Sequence, residues 1–137
     1  MSIENVRKWF MIHTYSGYEK KVKTDLEQKM ETLGFKEVVT NILVPEEELT
    51  EIVRGKPKKI YRKLFPAYVM LEMEATREEN EQGISYKVDP RVWYEVRNTN
   101  GVTGFVGVGS DPIPMEEEEV KNIFNIIGVK TPKDNVK

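Results

Sequence analysis

The sequence predicts an α+β fold: a mainly antiparallel four-stranded sheet with helices packed on one face, an RNP-like α/β sandwich. Three observations predict it. Two segments repeat apolar residues at helical spacing, Val22, Leu26, Met30 and Leu33 in one, Val120, Ile123, Phe124 and Ile127 in the other. The runs before and between them are short and β-rich. A chain of 137 residues, 39% of them hydrophobic, can bury one core but hardly two.

Element by element, Lys8 to Thr14 is apolar and aromatic between polar flanks and predicts a buried strand. Ser16 and Glu19 then have the spacing of a capping box. In it the Ser16 hydroxyl accepts from the Glu19 N–H, and the Glu19 carboxylate reaches back to the N–H of Ser16. The first helix follows and stops at Gly34, which supplies the left-handed residue that ends helices. Val38 to Val44 predicts a second strand, closed by Pro45. Glu46 to Lys59, with Gly55 and Pro57, predicts a hairpin with an exposed arm. Ile60 to Met73 is β-rich but interrupted by Pro66, which cannot donate to a ladder, so an edge, a bulge or a strand start is expected there. Glu74 to Pro90 is polar and reads as a surface excursion. Arg91 to Arg97 predicts a short helix, and Thr103 to Val106 a brief strand. Met115 to Ile127 predicts a last helix whose Glu116 to Glu119 cluster sits where the dipole favours negative charge. From Gly128 onward the chain reads as a linker.

Composition excludes several function classes. There is no Cys and only one His, hence no disulfide framework, thiolate nucleophile or Cys-based zinc site. No metal and no cofactor is expected. The longest purely apolar run is the five residues Ala67 to Leu71, so no membrane span is expected. Residues 1–8 lack the apolar stretch of a secretory signal, and the expectation is a cytoplasmic monomer. No nucleophile and base can be paired, the four glycines from Gly101 to Gly109 lack a nucleotide-binding spacing, and an enzyme is not expected. His13 is expected to be structural. The net charge of −2 divides into +6 between Arg54 and Lys63 and −8 elsewhere, which argues against a bulk nucleic-acid binder; a solvated loop is the plain explanation.

Two constellations remain. Tyr61 to Tyr68 places aromatic and basic groups together. An RNA-recognition motif would stack bases on aromatics two apart on one strand face. Phe65 and Tyr68 are three apart with Pro66 between them, so only a bulge or turn brings both rings to one surface. Such a pair is better suited to gripping a protein; a stand-alone RNA-binding module is the alternative. Asn98, Thr99, Asn100 and Gly101 have turn composition, yet an Asn amide and a Thr methyl can also contact base edges.

Taken in order, Lys8 to Glu27, Val44 to Ile52, Arg62 to Met73, Val96 to Gly107 and Ser110 to Val120 closely resemble the N-terminal domain of the NusG family of bacterial transcription elongation and termination factors. The resemblance implies a domain over residues 1–129, with an insertion near 74–90, and a linker beginning at 130–137 that leads to a KOW barrel not contained in the chain. It implies binding to the β′ clamp helices of RNA polymerase, bridging towards the β subunit, and an effect on elongation, pausing and processivity. Contacts with Rho and a small-subunit ribosomal protein belong to the KOW barrel. The polymerase contact maps onto Phe65 and Tyr68, with Trp9, Tyr15 and Pro66 as supporting walls. Asn98 and Thr99 match the position from which relatives touch non-template DNA, with Arg62, Lys63 and Arg97 as phosphate neighbours. Where the family usually has Gly, this chain has Ala67.

Overall fold

A computed structural model describes residues 2–108 and 111–128. Two thirteen-residue strands form its spine, β1 (Ser2–Thr14) and, later in the chain, β5 (Tyr68–Asn80). They pair antiparallel from Ser2↔Glu79 to His13↔Tyr68. Helix α1 (Glu19–Leu33) follows β1 and leads into β2 (Val39–Leu43). The ribbon β3 (Glu46–Val53) and β4 (Lys56–Lys63) comes next, a separate two-stranded sheet. After β5 come β6 (Gly83–Lys87), α2 (Pro90–Arg97) and β7 (Val102–Phe105). The small ribbon β8 (Gly107–Val108) and β9 (Asp111–Pro112) precedes α3 (Glu117–Ile127).

The central sheet has the order β2-β5-β1-β7, with all pairings antiparallel, and β6 joins β5 as a fifth strand. The α+β class and the antiparallel four-stranded core are therefore as expected. The segment from Glu74 to Pro90 is not a loose excursion: β5 continues through it to Asn80 and returns in register as β6, Thr76 opposite Lys87 and Asn80 opposite Gly83. β1 likewise begins at Ser2 rather than Lys8, because its polar half pairs with this extension. Neither polar half carries a strand signal alone. Their ladder supplies it.

Apolar residues alternate across the spine and are buried on both faces. Phe10 and Ile12 of β1 and Val69, Leu71 and Met73 of β5 meet Val22, Leu26 and Met30 of α1 and Val92 and Val96 of α2. On the other face Met70, with half-buried Trp9 and Met11, meets Val120, Ile123 and Phe124 of α3. The expectation that the helices share one face holds for α1 and α2 and is corrected for α3. Met115 N–H donates to Trp9 O (2.8 Å), which strings the chain along the edge of β1 and delivers α3 to the second face. Full burial of each large apolar side chain contributes about 1.5–3 kcal/mol, so the face under α3 is a second source of stability. Among the described residues no helix is long and apolar enough to cross a membrane.

The helix ends show one agreement and one correction. Gly34 ends α1 with φ +78°. The capping box does not form: Tyr18 stands at the N-cap without a side-chain bond, and the Glu19 carboxylate is engaged elsewhere.

Candidate functional site

One end of the sheet collects the termini of several elements: the end of β1, the starts of β5, β7 and α1, and the end of α2. Backbone bonds fasten them. Thr14 N–H donates to Ala67 O (2.8 Å), and the next amide, Tyr15 N–H, donates to Gly101 O (3.0 Å). The Pro66 corner and the Asn98 loop thus lie on either side of the β1 terminus.

The corner between β4 and β5 is a four-residue turn. Tyr68 N–H donates to Phe65 O (3.2 Å), Pro66 occupies the second position, and Ala67 takes φ +72° at the third. This is the arrangement of a type II turn, whose third position favours Gly. Holding an alanine there costs about 1–2 kcal/mol. The residue is retained because both of its backbone polar groups are engaged. Its carbonyl accepts from Thr14, and its N–H donates to Glu19 Oε2 at 2.7 Å.

Glu19 is only 1% exposed. Its other carboxylate oxygen accepts from Lys63 Nζ (3.2 Å). Burial alone would push this carboxyl upward. The N–H groups of Ala67 and of Glu19 itself, together with the Lys63 ammonium, more than offset that and hold it below its ordinary value. One carboxylate therefore joins the start of α1, the end of β4 and the turn.

The aromatic groups divide more than the sequence suggests. Phe65 is half-buried and packs into the second core beside Leu64, instead of standing in solvent next to Tyr68. Tyr68 is half-buried, edge-on to His13 with centroids 4.8 Å apart. The Thr103 hydroxyl donates to His13 O (3.0 Å), so its 2.7 Å contact with His13 Nδ1 requires the proton to sit on that nitrogen. This fixes the imidazole against which Tyr68 rests. Pro66 is exposed between the two rings. Tyr15 is 62% exposed and meets the Tyr18 ring edge-on at 6.0 Å. Trp9 does not belong to this group; it packs on Phe124 of α3, centroids 5.5 Å apart, and is a wall of the second core. His13, Tyr18 and Glu19 belong to the corner, and sequence reasoning did not place them there.

On the nucleic-acid side, Asn98 is exposed, its Nδ2 donating to Tyr94 O (2.8 Å). The Arg97 guanidinium lies over the Trp93 ring, 4.7 Å from its centroid, and Trp93 in turn stacks on Phe105. Thr99 is turned inward, 5% exposed, its hydroxyl donating to Glu95 O (2.9 Å), so its methyl is not presented to a base. Gly101 holds the loop close to α1: a Cβ there would lie 2.9 Å from Val22 Cγ2. Arg62 is exposed but ion-paired with Glu47, and Lys63 is committed to Glu19.

The fold and site define an α+β domain whose ordered corner presents proline and aromatic edges, beside an exposed amide and guanidinium. Comparison with known proteins names the family. The family model described as "Transcription termination factor nusG" matches residues 7–124. The chain is 43% identical over 127 residues to the transcription termination/antitermination protein NusG of Halalkalibacterium halodurans, covering 90% of this chain and 64% of that protein. It is 40% identical over 133 residues to the protein of the same name from Bacillus subtilis, covering 95% and 68%. A solved structure described as "Domain interaction in Thermotoga maritima NusG" superposes with a TM-score of 0.66 at 30% identity, over 91% of this chain and 59% of that one. The chain belongs to the NusG family. It spans about two thirds of the length of these curated relatives.

Proposed function

We propose that this chain is a transcription factor domain that docks on the β′ clamp helices of RNA polymerase through the Phe65–Tyr68 corner, bridges towards the β subunit and modulates elongation, pausing and processivity. Family membership supports the transcriptional role. The observation that carries the docking role is the corner itself: Pro66 and Tyr68 stand on a turn whose backbone is tied to both β1 and α1. A surface ordered before contact binds without the entropic cost of ordering. Tyr15 flanks it, and Phe65 anchors it from beneath. Trp9 is left out of the docking set and Thr99 out of the DNA set, because their side chains pack inward.

In this reading Asn98 and Arg97 face non-template DNA, and Arg62 adds a salt-sensitive phosphate contact. Lys63 serves the corner rather than DNA. Contacts with Rho and a ribosomal protein would come from a KOW barrel, and a cytoplasmic setting follows from the same role. The RNA-recognition alternative is less well supported, since α3 lies against Trp9, Met11 and Met70 on the sheet face opposite α1 and α2.

The test is Tyr68→Ala against an immobilised clamp-helix fragment. Removing an aromatic anchor at an interface costs about 2 kcal/mol or more, so the affinity should fall about 30-fold. Circular dichroism should stay unchanged. Wild-type affinity in a folded Tyr68→Ala variant would remove the docking role.

A further inference from the structure

We propose that Glu19 is the positioning residue of the docking corner: its carboxylate selects the orientation of the Pro66–Ala67 peptide, and partner binding by Pro66 and Tyr68 depends on that selection. This rests on the docking reading above. Glu19 is sealed from solvent and cannot itself touch a partner.

The argument begins with what is unusual about the residue. A glutamate in the first turn of a helix is ordinarily stabilised where it stands, in solvent near the helix dipole. Burying a carboxylate is unfavourable unless hydrogen bonds and an opposite charge replace its water. Besides its own N–H, two replacements come from far along the chain, the Ala67 amide 48 residues away and the Lys63 ammonium 44 residues away. Both belong to the corner. Neither serves the helix.

The direction of the Ala67 N–H is what separates the two common turns. Type I and type II differ by a flip of the peptide between their second and third residues, and only type II needs positive φ at the third. An alanine left to itself favours the type I form, where its φ is negative. The Glu19 bond reverses that preference, because a flip would turn the Ala67 N–H away from the carboxylate and leave a buried charge short of a donor. The same flip would swing the Pro66 carbonyl through the exposed face beside Tyr68. Lys63 adds a second effect: as the last residue of β4 it brings the base of the β3–β4 ribbon under the same carboxylate.

The experiment compares Glu19→Ala, Glu19→Gln and Tyr68→Ala in the whole chain, reading affinity for the clamp-helix fragment and the NMR shift and exchange rate of the Ala67 amide. In Glu19→Ala the Ala67 amide should lose its low-field shift and exchange faster, and affinity should drop on the order of tenfold while circular dichroism reports a folded domain. Glu19→Gln keeps an acceptor for that amide and should recover most of the binding, to within about threefold of wild type. A role limited to stability would not give this rescue pattern in variants that are all fully folded. If Glu19→Ala binds as wild type while Tyr68→Ala does not, the proposal is overturned and the docking reading stands. If Tyr68→Ala also binds as wild type, the docking reading fails, and with it the dependence of binding on Glu19. If Glu19→Ala does not fold, Glu19→Asp takes its place, its charge drawn back by one methylene; undiminished binding by that variant overturns the proposal.

Discussion

Two turns hold the non-glycine residues with positive φ among the described residues, Arg54 at +52° and Ala67 at +72°. They are handled in opposite ways. Arg54 sits at the tip of the β3–β4 ribbon, followed by Gly55, in a two-residue connection where twist favours positive φ at both positions. The neighbouring residues are all exposed, and the tip can rearrange at little cost. Ala67 is over-determined, its N–H bound by a buried carboxylate and its carbonyl by β1. Similar dihedral angles thus mark a free turn in one place and a locked one in the other. Unusual backbone persists where the surroundings insist on it, and such places concentrate at functional sites.

Substituting both turns with a β-branched residue should separate them most. Ala67→Val places branching at a φ that such residues avoid, in a turn that cannot relax, and should lower unfolding free energy by about 3 kcal/mol in urea titrations. Arg54→Val should cost about 1 kcal/mol, since the tip can change its turn type. Equal losses would dissolve the contrast.

Acid gives the next effect. The folded Glu19 carboxyl lies below its ordinary value of 4.5, so the stabilisation it brings is fully present above that value and is lost as pH falls through the lower folded value. Wild type should therefore exceed Glu19→Gln in urea stability at pH 7, with the gap closing on acidification below 4.5. Arg54→Gln should show no such convergence. A gap independent of pH would mean that the charge on Glu19 contributes nothing to the lock.

The smallest effect is a gain. Ala67→Gly relieves the left-handed alanine and should stabilise by about 1 kcal/mol, less what the more flexible unfolded chain takes back. Arg54→Gly should change stability by only a few tenths, read as the shift in urea midpoint.

Much of this was legible in the residues. Val22, Leu26 and Met30 announced α1, and the spacing of Val120, Ile123 and Phe124 announced α3. Pro66 announced the break that became the turn between β4 and β5. An amphipathic stripe says that a helix is covered, not by which face of a sheet, so α3 was assigned to the wrong side. The β5–β6 extension was hidden because its residues and those of the first half of β1 are polar and become strands only by pairing with each other. Glu19 was misread for a related reason. Its spacing from Ser16 satisfies a local rule, while its actual partners sit more than forty residues away, where no spacing rule reaches. Thr99 shows the limit for sites: a polar residue in a turn composition can spend its hydroxyl on the preceding helix, as this one does on Glu95.

The central position of β1 has a consequence for synthesis on the ribosome. This strand leaves the exit tunnel well before β5 and β7, the two neighbours it must lie between. At translation rates of about 5–20 residues per second, Trp9, Phe10 and Ile12 wait roughly 3–13 s for their partners Glu72, Leu71 and Val69 to be added. During that interval the apolar segment has no strand beside it, and the sheet can close only when its fifth strand is drawn in alongside its first.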